Sequence, residues 1–457
     1  MLAAQLFRGN FQKTRFANGI SLALVLMFSA NAQAQDLISV YRLAYSNDAA
    51  LQSARATLEA EREKYPQARA ALLPTASLAF QKQNQTSEFT VEGSPPGQPV
   101  KTSPKAFALT LTQPLFRLQA FETFEQSKLL VSKAEIDFMN AEQELALKVA
   151  QSYFDILTAK DNLSTLLKQK IAITEQLAAA KRNFEVGTAT ITDQQEAQAR
   201  FDLAVSQEIA ANNDLFVKTA ALENLIGGPA PELAPLQAGT ALKKPSPEVQ
   251  TTWVDAATGN NLTVQSARLL TEVSRREVSK ARAGHLPTLD LVLAKNETSG
   301  GRFGNFTSST ASEAATLQLN VPLFAGGGTQ ARVRETLNLQ NKTMADLESA
   351  KRTAAQTARQ TFAGVNSGLA QVAALEAAER SSQLALESNK LGYQVGVRIN
   401  IDVLNAQQQL SSTQRDLARA KYETLLNGLR LKASTGALRE ADLAEISELM
   451  QAVAVKP

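Results

Sequence analysis

The stretch "YQVGVRINIDVLNAQQQL", Tyr393 to Leu410, rewrites a pattern met earlier as "FEVGTATITDQQEAQARF", Phe184 to Phe201. Each carries an aromatic residue, Val-Gly, a short polar turn, an Ile, an Asp and then an Ala/Gln-rich run. Glycine takes a positive φ without steric cost, so each Val-Gly marks a break between two helical runs. An isolated break of this kind reads equally as a helix C-cap. Its repetition favours the turn of a helical hairpin, written twice.

The repetition extends outward from both breaks. "LQSARATLEAEREKYPQARAALLPT" (Leu51–Thr75) matches "VQSARLLTEVSRREVSKARAGHLPT" (Val264–Thr288), and "TQPLF" (Thr112–Phe116) matches "NVPLF" (Asn320–Phe324). "LENLIG" and "LKASTG" close the two copies. The expected division is therefore a first repeat over 35–228, a Pro-rich linker over 229–248, a second repeat over 249–436 and a C-terminal tail over 437–457, a short helix at most. Five of the 15 prolines fall between Pro229 and Pro247.

Residues 1–34 stand apart. Arg8, Lys13 and Arg15 precede the apolar run Ile20–Ala30 and the small-residue site Ala32-Gln33-Ala34, the plan of a secretory signal peptide. Its removal brings the formal charge of +3 to about zero, which leaves no case for nucleic acid. With no Cys, an exported chain has neither a disulfide framework nor a lipidated cysteine.

Within each repeat the order is helix, two alternating segments, then a very long helical stretch. Apolar residues three and four apart, such as Phe362, Val365, Leu369 and Val372, or Leu145, Val149, Ile156 and Leu163, form a coiled-coil-like seam. From Thr329 to Leu391 only a few Gly interrupt this pattern, which predicts roughly 95 Å of helix. Between Leu-Pro-Thr and Pro-Leu-Phe the period becomes two. Leu289, Leu291 and Leu293 alternate with Thr288, Asp290 and Val292, and Phe107, Leu109 and Leu111 with Ala108, Thr110 and Thr112. Strands of about 8–11 residues with one apolar face suit an outer-membrane barrel. The tips "QNQTSEFTVEGSPPGQPVKTSP" and "NETSGGRFGNFTSSTAS" read as polar loops, facing outside near Gly93–Pro99 and Gly301–Asn305. Phe116 and Phe324, ending paired strands, fit either an aromatic girdle or core packing.

Four strands cannot close a barrel, and an open edge in lipid leaves backbone groups unsatisfied. Two chains give eight strands and an interior filled by side chains. Three give twelve and a wet lumen, which the polar strand face suits better.

The signal peptide, the duplicated order, "ITDQQEAQARFDLA" and "GYQVGVRINIDVLNA" together resemble the TolC family of outer-membrane channel proteins over nearly the whole mature chain. The resemblance implies a homotrimer: a twelve-stranded barrel in the outer membrane of a Gram-negative bacterium, and a coiled-coil α-helical tunnel in the periplasm. It implies an exit duct for type I secretion or multidrug efflux, joined by a periplasmic membrane-fusion adaptor to an inner-membrane pump of the RND or ABC type, with outer-membrane lipid around the barrel. By the same resemblance the turns Val186-Gly187-Thr188 and Val395-Gly396-Val397 dock the adaptor. Asp193, with Thr192 beside it, bonds Tyr393 and Arg398 to hold the mouth shut until the hairpins untwist. Asp402 faces the lumen as a ring of three carboxylates, and Asn405 stands where the family often has a second Asp.

Other classes are weaker. A periplasmic coiled-coil adaptor, or a structural protein of an envelope-spanning complex, has no use for lipid-type strands. "AGGGTQ" (Ala325–Gln330) lacks the Lys-Ser/Thr of a phosphate loop. One His and no Cys leave little from which to build a catalytic or metal site, so no enzyme activity and no cofactor are expected.

Overall fold

The computed structural model describes residues 34–450 apart from 89–91, 94–98, 238 and 304–305. The expected signal peptide up to residue 33, and residues 89–91, 94–98 and 304–305 of the two outward-facing tips, lie outside the described residues.

The first half runs α1 (Leu37–Asn47), α2 (Ala49–Arg62), α3 (Lys64–Ala70), β1 (Thr75–Lys82), β2 (Gln85–Ser87), β3 (Val100–Thr102), β4 (Lys105–Phe116), α4 (Leu118–Glu185) and α5 (Ile191–Ile226). The second runs α6 (Gln250–Asn260), α7 (Leu262–Arg282), a 3₁₀ turn (Ala283–His285), β5 (Thr288–Phe303), β6 (Phe306–Asn320), α8 (Gly328–Gln394) and α9 (Asn400–Ser434), and α10 (Glu440–Ser447) follows. At 1.5 Å per residue α4 and α8 are each about 100 Å long. Asp36, Asp48 and Asn261 cap α1, α2 and α7 by accepting from backbone N–H groups of the first turn.

β1, β4, β5 and β6 form one antiparallel sheet in that order, so the middle seam joins the two copies. Its register sets Leu78 opposite Leu109, Leu111 opposite Leu293 and Leu289 opposite Leu319, which gathers the leucines on one face. Thr75, Thr112, Asp290 and Gln318 share the other. Pro114, which has no N–H to give, sits where the β4–β5 ladder shifts register around Leu115. Beside it Arg117 binds Asp290 through two parallel hydrogen bonds, Nε–Oδ1 2.8 Å and Nη2–Oδ2 2.6 Å. This bidentate pair ties the first residue before α4 to a strand of the other copy.

Three expectations about the strands change. β5 and β6 span 16 and 15 residues, so the second polar tip is largely strand, not loop. Gly, Ser and Thr there support a hairpin because the ladder bonds are backbone bonds, blind to side chain. The first tip likewise carries the short β2–β3 ladder. Phe324 does not end a strand. It lies beyond β6 and is 89% exposed.

The helices divide into two zones. Nearer the sheet, α2, α3 and α7 lie on α4, and α6 and α7 on α8. Farther away, α5 folds back on α4 and α9 on α8 as hairpins. In the second hairpin Gly368 is a close-approach site, since a Cβ there would stand 2.4 Å from Thr424 Oγ1. Between the zones lies the largest core, built by Leu37 and Val40 of α1, Val149 and Tyr153 of α4, Leu222 of α5 and Leu429 of α9. The start of the Pro-rich linker and the described residues after Ala437 contribute to this core rather than hanging from it. Leu233, Ala234, Leu443, Ile446 and Met450 are buried in it, and Tyr153 donates to Ala234 O at 2.7 Å. Among the described residues no helix is long and apolar enough to cross a membrane.

At the edge of this core Tyr422 stacks on Phe154 and donates to Asp161 Oδ2 at 2.8 Å. Burial pushes the Asp161 carboxyl above its ordinary 3.8, and the Tyr422 hydroxyl and Lys168 pull it only partly back. A raised carboxyl favours the fold fully below its unfolded value, and that contribution is lost as pH rises through the folded value. Asp161→Asn should therefore raise the Tm of the detergent-extracted protein at pH 7 to 8 and leave it unchanged near pH 3. Tyr422→Phe should lower Tm at pH 7, at a cost of about 1–3 kcal/mol for the stranded carboxylate. Equal shifts for Asp161→Asn at both pH values would contradict this account.

Candidate functional site

The two Val-Gly breaks fall at the ends of the helical hairpins farthest from the sheet, and they share one geometry. At the first, Thr188 N bonds Asn183 O at 2.8 Å and Gly187 N bonds Phe184 O at 3.0 Å. At the second, Val397 N bonds Gly392 O at 2.8 Å and Gly396 N bonds Tyr393 O at 3.1 Å. Both are Schellman caps with Gly187 at φ 79° and Gly396 at φ 78°. The C-cap and hairpin-turn readings are thus one structure, because the next helix begins four or five residues beyond each cap. Val186, Val395 and Val397 are 72%, 66% and 79% exposed, so each turn presents apolar side chains outward.

Asp193 and Asp402 occupy equivalent third positions of α5 and α9, where a carboxylate meets the positive end of the helix. Their partners differ. Thr190 and Asp193 form a capping box: Thr190 N and Oγ1 both donate to Asp193 Oδ2, at 3.0 and 2.8 Å, and Asp193 N donates to Thr190 Oγ1. The second copy has Ile399 in place of Thr190, so no side chain caps α9. Its Asp402 carboxylate instead lies 3.5 Å from Arg398 Nη1.

The expected link from Asp193 to Tyr393 and Arg398 is therefore not made within the chain. Thr190 occupies the Asp193 carboxylate, Arg398 is on Asp402, and the Tyr393 hydroxyl accepts from Asn183 Nδ2 at 3.3 Å. Thr192 is exposed. Asn405 accepts from Arg200 Nη2 at 3.1 Å, and Arg200 Nη1 donates to Gln408 at 2.6 Å. Near the tips the unlike hairpins are thus bridged from Asn183 to Tyr393 and from Arg200 to Asn405 and Gln408. Beneath them Ile173 and Ala204 of the first hairpin bury Leu404 of the second.

Sequence reasoning missed Asn183 and Arg200. Thr190-x-x-Asp193 is itself a capping signature and would have claimed Asp193 for α5. Asn183 aligns with Gly392, where a Cβ would stand 2.7 Å from Arg398 Cγ, so only one copy has room for a bridging side chain there. Among the described residues no group of three or more His, Cys, Asp or Glu is placed to hold a metal ion.

The unequal caps make a prediction. Thr190→Val should cost about 1 kcal/mol and speed amide exchange over the first turn of α5. Ile399→Thr should slow exchange at the start of α9 by supplying the missing box with Asp402. Unaltered exchange at α9 in the second variant would show that Arg398 keeps the carboxylate.

Comparison with known proteins agrees with this architecture. The sequence profile described as outer membrane efflux protein matches residues 40–228 and 253–437. The alkaline protease secretion protein AprF of Pseudomonas aeruginosa is 32% identical over 92% of this chain and 88% of its own. The outer membrane protein TolC of Escherichia coli is 30% identical over 93% and 86%. Among solved structures, the CmeC outer membrane channel of Campylobacter jejuni superposes with a TM-score of 0.77 at 17% identity, covering 97% of this chain and 98% of that one. VceC of Vibrio cholerae gives 0.76 at 17% identity over 88% and 96%. The duplicated chain, with its paired hairpins and sheet, belongs to the outer membrane efflux protein family.

Proposed function

We propose that three copies of this chain form one exit duct, their sheets closing a twelve-stranded barrel in the outer membrane and their hairpins a tunnel in the periplasm. The observation that carries this is the four-stranded sheet. One face is leucine-rich and exposed, with Leu78 at 65%, Leu317 at 63% and Leu319 at 62%, and β1 and β6 are both edges. An adaptor or a structural coiled coil leaves that sheet without a purpose. The small polar residues of its other face suit a wet lumen rather than an eight-stranded, filled interior.

Residues 1–34 serve as the export signal, and the two repeats each give one hairpin to the tunnel wall. The apolar turns at Gly187 and Gly396 meet a periplasmic membrane-fusion adaptor, which connects an inner-membrane pump of the RND or ABC type. The relatives are named for protease secretion and for efflux, which supports type I secretion, efflux or both as the task. The periplasmic mouth is the gate. Asn183–Tyr393 and Arg200–Asn405 hold neighbouring hairpins together, and between chains Thr192 and Asp193 face Tyr393 and Arg398. Three Asp402 carboxylates line the opening, and Asn405 leaves the next level without a carboxylate.

Cross-linking the detergent-extracted protein should give a ladder that ends at three chains. One ending at two, or a soluble monomer, refutes the barrel. In planar bilayers Tyr393→Phe combined with Arg398→Ser should raise single-channel conductance. Asp402→Asn should abolish block by a trivalent cation added from the periplasmic side. Unchanged conductance or undiminished block would remove the corresponding residues from the gate.

A further inference from the structure

The duplication supplies an internal control for the outward face of the sheet. In the second hairpin Lys295 of β5 stands directly opposite Glu313 of β6, and Nζ lies 3.1 Å from Oε1. In the first hairpin the equivalent positions are Lys82 of β1 and Lys105 of β4, again directly opposite. One copy thus carries a neutral cross-strand pair where the other carries two positive charges. Like charges placed opposite each other on adjacent strands are destabilising, and an anion between them removes that cost.

No protein carboxylate takes this part. Among the described residues none lies within 4.0 Å of either ammonium. Glu297, diagonal to Lys105 across the β4–β5 seam, is held by Lys295 at 3.8 Å, and Glu88 and Glu92 of the hairpin tip form no ion pair with either lysine. Closing the barrel brings none either. The β4–β5 seam pairs Leu109 with Lys295, and the same register at a β6–β1 seam sets Leu317 against Lys82.

Alternation along β1 and β4 puts both lysines on the leucine face. Directly beneath them Phe80 pairs with Phe107, and beneath those Leu78 pairs with Leu109. Both lysines are exposed, and Phe80 is 70% exposed. They stand at the ends of β1 and β4 away from the helices, so in the outer membrane they lie at the level of the outer leaflet's headgroups. Aliphatic, aromatic and cationic rows in that order match acyl chain, interface and headgroup.

We propose that Lys82 and Lys105 clamp a phosphate of a phosphorylated lipid headgroup in the outer leaflet, a site present once per chain and absent from the second hairpin. This rests on the membrane reading of the sheet given above. Two ammoniums at one phosphate provide charge-assisted contacts, and the phenylalanine row beneath receives the lipid's apolar part.

The test is native mass spectrometry of the full mature protein in detergent, offered lipid A bearing both phosphates or dephosphorylated lipid A. The unaltered protein should retain about one phosphorylated lipid per chain and prefer it by roughly tenfold or more. Lys105→Glu, which copies the pair of the second hairpin and so spares the fold, should abolish that preference. Glu313→Lys should raise retention to about two per chain. Millimolar inorganic phosphate should not displace the lipid, and full displacement would overturn the lipid assignment in favour of free phosphate. A three-chain ladder with no lipid preference, or a preference that survives Lys105→Glu, would overturn the site alone. Absence of the ladder in the unaltered protein would instead condemn the barrel.

Discussion

Two open sheet edges govern this molecule. β1 and β6 each end the sheet with a row of backbone N–H and C=O groups that the chain itself does not pair. In water such an edge is a liability, and in hydrocarbon each unpaired group costs several kcal/mol. The exposed leucine face suits lipid, and edges of this kind cannot stay unpaired there. In the first copy strand and helix are joined with almost no slack, whereas residues 321–327 separate β6 from α8 in the second. Only Arg117 separates β4 from α4, and its bidentate hold on Asp290 locks that joint to the neighbouring copy.

Much of this was legible in the amino-acid order because the signals are local and strong. Period-two leucines, prolines at strand boundaries and Gly at positive φ act within a few residues, so the sheet face and both hairpin turns could be read directly. What escaped depends on the backbone or on distant contacts. Strand length past Asn296 is set by ladder bonds that do not care whether the side chain is Ser, Thr or Gly. The linker and the segment after Ala437 looked loose by composition, yet Leu233 and Leu443 are buried by helices far away in the chain. Within the chain Asp193 is held by a local cap three residues away, a partner whose placement costs less chain entropy than one on another hairpin.

The duplication also shows where chemistry was added to architecture. Positions that maintain the fold stayed alike: the Schellman glycines, the Leu-Pro-Thr entries, the paired carboxylates at the third residue of α5 and α9. Positions that diverged sit where one copy meets something the other does not. Asn183 reaches across to Tyr393, whereas Gly392 must remain bare for Arg398 to pass. Thr190 binds its Asp, and Ile399 releases the equivalent one. Lys105 faces a lysine, and Glu313 faces one too but neutralises it.

The two hairpins of the chain are unequal at their tips. A neutral bond crosses between the hairpins, Asn183–Tyr393, while the charged Arg398–Asp402 pair lies within the second, and the two differ in sensitivity to salt. Asp193 is fixed in its own box at the start of α5, whereas Asp402, at the same position of α9, is held only by an exposed arginine on the same hairpin.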